Sequence, residues 1–166
     1  MNGTTFYTNF SEEIPVATLQ GKTLTSISTL NDEEILFSTS DDGQYVMFHR
    51  QGCCECVWLE DVVGDFNDLI GFPLLLVEES SNSDDTPATE YTPDSYTWTY
   101  YKFATIKGYV DLRWFGQSNG WYSESVNFVK LDDPVDLFDY PLATHYHGHS
   151  SVPTIIPPQS AINLLH

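Results

Sequence analysis

The sequence predicts a mainly β fold: an antiparallel sandwich or barrel-like sheet with one short helix at about 61–70 and extended N- and C-terminal arms. Three observations carry that expectation. Short apolar segments alternate with period two, one after another. Asn, Asp and Gly separate them at turn positions, and a single stretch shows helical spacing.

Size and charge bound the problem. At 166 residues the chain suits one domain with a core that needs no staples. A hydrophobic share of 41% with 14% aromatics excludes global disorder. Twenty-four acids against six bases leave a formal charge of -18. That field disfavours direct contact with nucleic acid or an anionic membrane, whose phosphates select Lys and Arg. It suits a basic protein partner. No apolar run approaches the length of a membrane span, and Met1–Pro15 has neither a basic start nor an apolar run, so a soluble protein without a signal peptide is expected. Cys53, Cys54 and Cys56 lie too close in sequence for a disulfide framework, so reduced thiols and assembly in a cytoplasm are expected.

Residues 1–20 read as an N-terminal arm, because Gly3, Asn9 and Pro15 interrupt any period. The β-rich module spans 21–131. Lys22–Thr29 alternates with strong β propensity, Asn31-Asp32 turns the chain, and Glu33–Thr39 forms a second strand. Asp41-Asp42-Gly43 signals a hairpin into Gln44–Arg50. Cys54–Glu60 is a fourth strand with Cys54, Cys56 and Trp58 on one face. Asp61 is placed to cap a helix in which Val62, Phe66, Leu69 and Ile70 share a side, stopped by Gly71 and Pro73. Pro73–Glu79 reads as a buried strand, and 79–95 as a long acidic loop. Two aromatic strands follow, Tyr96–Thr105 and Ile106–Gly116; Gly116–Gly120 is expected to turn a hairpin into Trp121–Leu131. Residues 132–166, with five prolines and scattered apolar residues, read as an extended C-terminal arm that packs on its own domain or a neighbour.

Several constellations invite chemistry. His49, Cys54 and Cys56 supply the right ligand atoms for zinc, but zinc sites use cysteine pairs two to four residues apart, and strand alternation turns Cys53 away. Buried cysteines acting as small hydrophobes are the plainer reading. Acidic neighbours would hold the thiols protonated, against nucleophilic use. Glu60, Asp61, Asp65 and Asp68 offer oxygen ligands without the EF-hand spacing, and read as a solvated helix face. His145, His147 and His149 alternate, so an extended segment would present all three to a transition metal. A hydrogen-bonding tail is the alternative. Tyr96, Trp98 and Tyr100 share one strand face; exposed, they would mark an interaction surface or a sugar-stacking platform, with Asp84, Asp85 and Glu90 beside them. No phosphate loop, serine elbow or nucleotide fingerprint is present, and no cofactor is implied.

Two stretches are distinctive. The first holds Cys53-Cys54-Glu55, Val57-Trp58, Glu60-Asp61, Gly64-Asp65 and Asp68-Leu69-Ile70-Gly71; the second runs from Ser95 to Phe128. Over about residues 20–130 the chain resembles an uncharacterised family of small acidic proteins from bacteria and their phages. The resemblance implies a module boundary and a phage or bacterial context, with no activity or active site.

The expectation is therefore a non-enzymatic phage-type structural or accessory protein, in the virion or host cytoplasm. Its arms would dock on other virion subunits or on itself, as a capsid decoration or head–tail component. The alternatives are an acidic inhibitor or DNA mimic that binds a basic host protein, and a metal-binding domain at the cysteine cluster.

Overall fold

Turn chemistry organises the first half of the chain. In the computed structural model, residues 12–84 and 93–136 are described in full and Thr154–Ile156 by backbone. Strand β1 (Leu24–Leu30) reverses into β2 (Glu34–Thr39) through Asn31 and Asp32, both at positive φ, which these two residue types tolerate better than most. Asp42 does the same between β2 and β3 (Gln44–Phe48). The remaining strands are β4 (Glu55–Val63), β5 (Leu76–Asn82), β6 (Ser95–Ala104), β7 (Tyr109–Ser118), β8 (Asn127–Lys130) and β9 (Thr154–Ile156).

They form two antiparallel sheets, β8-β3-β2-β1-β9 and β4-β7-β6-β5. The fold is mainly β as expected, an open sandwich and not a closed barrel. Alternation explains the core. Ile27, Ile35, Phe37, Met47 and Phe128 point inward from one sheet onto Leu59, Tyr101, Phe103, Leu112 and Trp114 of the other. Phe37 and Phe103 meet across the gap with centroids 5.5 Å apart. The opposite face of the first sheet is also apolar and buried, with Leu36, Val46, Phe48 and Val129 packed beside Val135.

Four expectations need correction. The helix at 61–70 does not form: Asp61–Val63 complete β4, and only Phe66–Leu69 turn, as a 3-10 segment. Gly64 at φ +107° leaves the extended conformation and ends the strand, and an added Cβ there would strike the carbonyl oxygen of Tyr109. The cap is Asp65, whose Oδ1 accepts from the Asn67 amide at 2.9 Å. Second, Leu76–Asn82 is a sheet edge and not a buried strand: Leu74 and Val77 are buried, but Leu75 is 61% exposed. Third, the acidic loop begins later, because Glu79–Asn82 belong to β5. Fourth, Gly116–Gly120 does not turn a hairpin. Strand β7 continues to Ser118, and the chain crosses to the other sheet, where β8 pairs with β3. Glu124 anchors that crossover by accepting from the hydroxyls of Thr97 and Ser118, each at 2.7 Å.

The expected arms are partly structural. Val16 and Leu19, in a 3-10 turn, are buried in the core, and the Ile14 amide donates to Phe128. Thr154–Ile156 pairs with β1 at the edge of its own sheet.

Candidate functional site

The outward face of the four-stranded sheet gathers the residues that burial does not absorb. On β6, inward Thr99, Tyr101 and Phe103 are buried, leaving Tyr96, Trp98 and Tyr100 half-buried on the other side. Register aligns them with two further strands. Trp58 on β4 lies opposite Phe115 on β7, and Phe115 lies opposite Trp98. Both tryptophan rings meet Phe115 at 5.1 Å, tilted by 66° and 53°, and Tyr96 meets Trp98 edge-on. Phe115 is thereby only 4% exposed although it faces outward.

A bulge sets the polar end of this row. Leu59 pairs with Trp114 and Asp61 with Arg113, so Glu60 is the extra residue. Two successive carboxylates consequently reach one guanidinium. Arg113 Nε donates to Glu60 at 2.7 Å, and its terminal nitrogen lies 3.7 Å from Asp61. The indole N–H of Trp98 donates to the same Glu60 oxygen at 3.1 Å. One carboxylate therefore fixes both the tryptophan and the arginine. Beside them a cleft of about 660 Å³ runs over Asp61, Tyr100, Lys102, Asp111 and Arg113 to Glu78 and Ser80 on β5.

The cysteine region behaves differently. His49 is buried with Nδ1 at 2.7 Å from the Ser125 carbonyl, to which it donates, and Nε2 at 3.3 Å from Glu55. Glu55, also buried, accepts from the amides of Gly52 and Cys54. Burial pushes the Glu55 carboxyl up, but these amides and His49 outweigh it and hold the carboxyl below its usual range. All three cysteines are exposed, against the expectation of buried thiols. Cys53 and Cys54 lie in a bend that Glu55 ties from within, and Cys56 is the second residue of β4. Hydrogen bonding to Cys53, with burial and the Glu55 charge, pushes the Cys54 thiol up, which keeps it protonated. His49 has both ring nitrogens engaged inside, while Cys54 and Cys56 face solvent. Among the described residues no group of three or more His, Cys, Asp or Glu is arranged to hold a metal ion.

The other predicted residues separate. Glu60 and Asp61 serve Arg113, Asp65 caps the 3-10 turn, and Asp68 packs against Gly108. Asp84 is exposed, and its amide donates to Asn82. Asp85, Glu90, His145, His147 and His149 lie outside the described residues. Sequence reasoning found Tyr96, Trp98 and Tyr100 but missed Phe115, Glu60 and Arg113 as their partners. Alternation along 109–118 put Arg113 and Phe115 on one face, the signal that was there to use.

The model of a protein family described as a domain of unknown function, DUF7448, matches residues 17–128. No curated protein and no solved structure matches the chain.

Proposed function

Since the chain belongs to the DUF7448 family, which brings no activity with it, we propose a function from the surface itself: a non-enzymatic module that docks a protein subunit of a larger assembly on its four-stranded sheet. The observation that carries this is the half-exposed pair Trp58 and Trp98, set on the buried Phe115, with Tyr96, Tyr100 and Arg113 around it. Trp, Tyr and Arg dominate the energetic centres of protein interfaces: Trp and Tyr cover large area with two side-chain torsions to freeze, and Arg brings a planar, multidentate donor. Rings already locked by neighbours and by Glu60 lose little further entropy on contact.

The tilt of these rings favours protein over sugar. Stacking on a pyranose wants coplanar, open ring faces; here Phe115 is covered and Trp98 leans on it at 53°. Asp32-Glu33 and Asp41-Asp42 occupy successive hairpin turns at opposite ends of the five-stranded sheet, so these two acidic pairs do not share a ridge.

The bacterial and phage resemblance makes a virion the first assembly to test, with the chain as decoration or head–tail component. Gel filtration and negative-stain microscopy of purified particles would show the chain in stoichiometric amount. Trp98→Ala would lose that association while keeping its melting temperature within a few degrees. A monodisperse monomer that never enters particles would overturn the reading.

A further inference from the structure

The sheet edges are not treated alike. The outer edge of β8 is met by the Glu13 bridge to Val129 and by the Ile14 amide, and that of β4 by the Asp32 carbonyl, which accepts from Leu59. Along β5, the Leu74 end is tied to Gly21 and Lys22. Beyond it, Glu78, Glu79, Ser80 and Ser81 are exposed, and their backbone forms hydrogen bonds on the β6 side alone among the described residues. Alternate residues of this stretch thus turn backbone donors and acceptors outward with no partner among the described residues, a template for another strand.

We propose that this edge of β5 receives an extended, lysine- or arginine-bearing segment of the partner, which adds as a fifth strand to the four-stranded sheet. The inference rests on the docking reading and specifies how the partner engages. Charge selects the occupant. Successive Glu78 and Glu79 put one carboxylate on each face of the edge, Glu79 on the side of Tyr101, so a second copy of the same edge would bring carboxylates together on either face. The charges that reject self-pairing attract a basic strand. Side-chain alternation does the rest. Glu78 lies in a row with Lys102 and Asp111, and Ser80 in a row with Tyr100 and Arg113. An incoming lysine opposite Ser80 has only that small side chain to pass before its ammonium reaches the Tyr100 ring and the cleft. Backbone pairing supplies affinity and alternate pockets supply selectivity, as in other cases of strand addition.

The probe is an acetylated, amidated heptapeptide of alternating lysine and threonine, with an analogue of equal charge carrying alternate backbone N-methyl groups. Titrated into the isotope-labelled full chain, the first peptide should shift the amides of Glu78–Ser81 and slow the exchange of alternate ones. The N-methyl analogue should bind at least about tenfold more weakly, the equivalent of about 1.4 kcal/mol. Glu78→Lys should weaken the first peptide by a similar factor without lowering the melting temperature, whereas Asp65→Lys should not weaken it. Equal affinity for both peptides, shifts spread over Asp32-Glu33 and Asp41-Asp42, or no binding would each overturn the proposal. Trp98→Ala should leave peptide binding intact. Loss of particle association in that variant with no peptide binding would therefore sink the edge inference alone, and the converse would sink the docking reading alone.

Discussion

Glu55 shows how one buried carboxylate can define a local structure. It accepts from two amides of the bend that carries Cys53 and Cys54, and meets His49, which follows the end of β3. Because its folded pKa is depressed, its contribution to stability is present above the unfolded value, about 4.3, and disappears as pH falls through the folded one. Glu55→Gln should therefore be less stable than the parent at pH 7, and the gap should narrow in urea melts below about pH 4. A gap independent of pH would show that shape, and not charge, holds the bend. Glu60 makes a separate, spectroscopic prediction. Its carboxylate is the acceptor for the Trp98 indole. Glu60→Ala should move that indole proton upfield and leave the other indole resonances in place. The stability cost should stay within about 1 kcal/mol, since the Glu60–Arg113 pair is partly exposed.

At the scale of elements, Gly64 separates a strand from a turn. Its φ of +107° and the close Tyr109 carbonyl leave no place for a side chain. Gly64→Ala should cost about 1–3 kcal/mol in denaturant unfolding; a change near zero would mean that the turn relaxes. The same residue explains a failure of sequence reasoning. Val62, Phe66, Leu69 and Ile70 do fit one helical face, but two adjacent valines favour a strand and a glycine at positive φ interrupts both. Ser95–Ala104 was legible because alternation is local, and Gln44–Phe48, buried on both faces, because Asp41-Asp42-Gly43 marks the hairpin that leads into it. The crossover after Ser118 was not, because it depends on Glu124 meeting Thr97 and Ser118 from distant positions. The candidate site divides along the same line. Tyr96, Trp98 and Tyr100 follow from period two, while their union with Trp58, Phe115 and Arg113 requires a register and a bulge that no local pattern encodes.

For the whole molecule, the balance lies between one shared core and a large uniform charge. Both sheets contribute to a single apolar interior, so unfolding one exposes the other. Against that interior, 24 acids and six bases repel at neutral pH. Among the described residues, the direct pairs include Asp41 with Lys22, which with Thr39 lowers its carboxyl to about 2, Asp111 with Lys102, and Glu60 and Asp61 with Arg113. Repulsion between exposed carboxylates is screened by salt, while the core is indifferent to modest ionic strength. Raising sodium chloride from about 0.01 M to about 0.5 M shortens the screening length from roughly 30 Å to a few ångströms. The melting temperature should therefore rise with salt, steeply at first and then level. Weakening of the Lys22–Asp41 and Arg113 pairs opposes this, but exposed pairs contribute little to stability. Scanning calorimetry over that series decides it. A melting temperature that falls with salt would mean that the few ion pairs outweigh the net charge, and that the acids are more finely arranged than general repulsion allows.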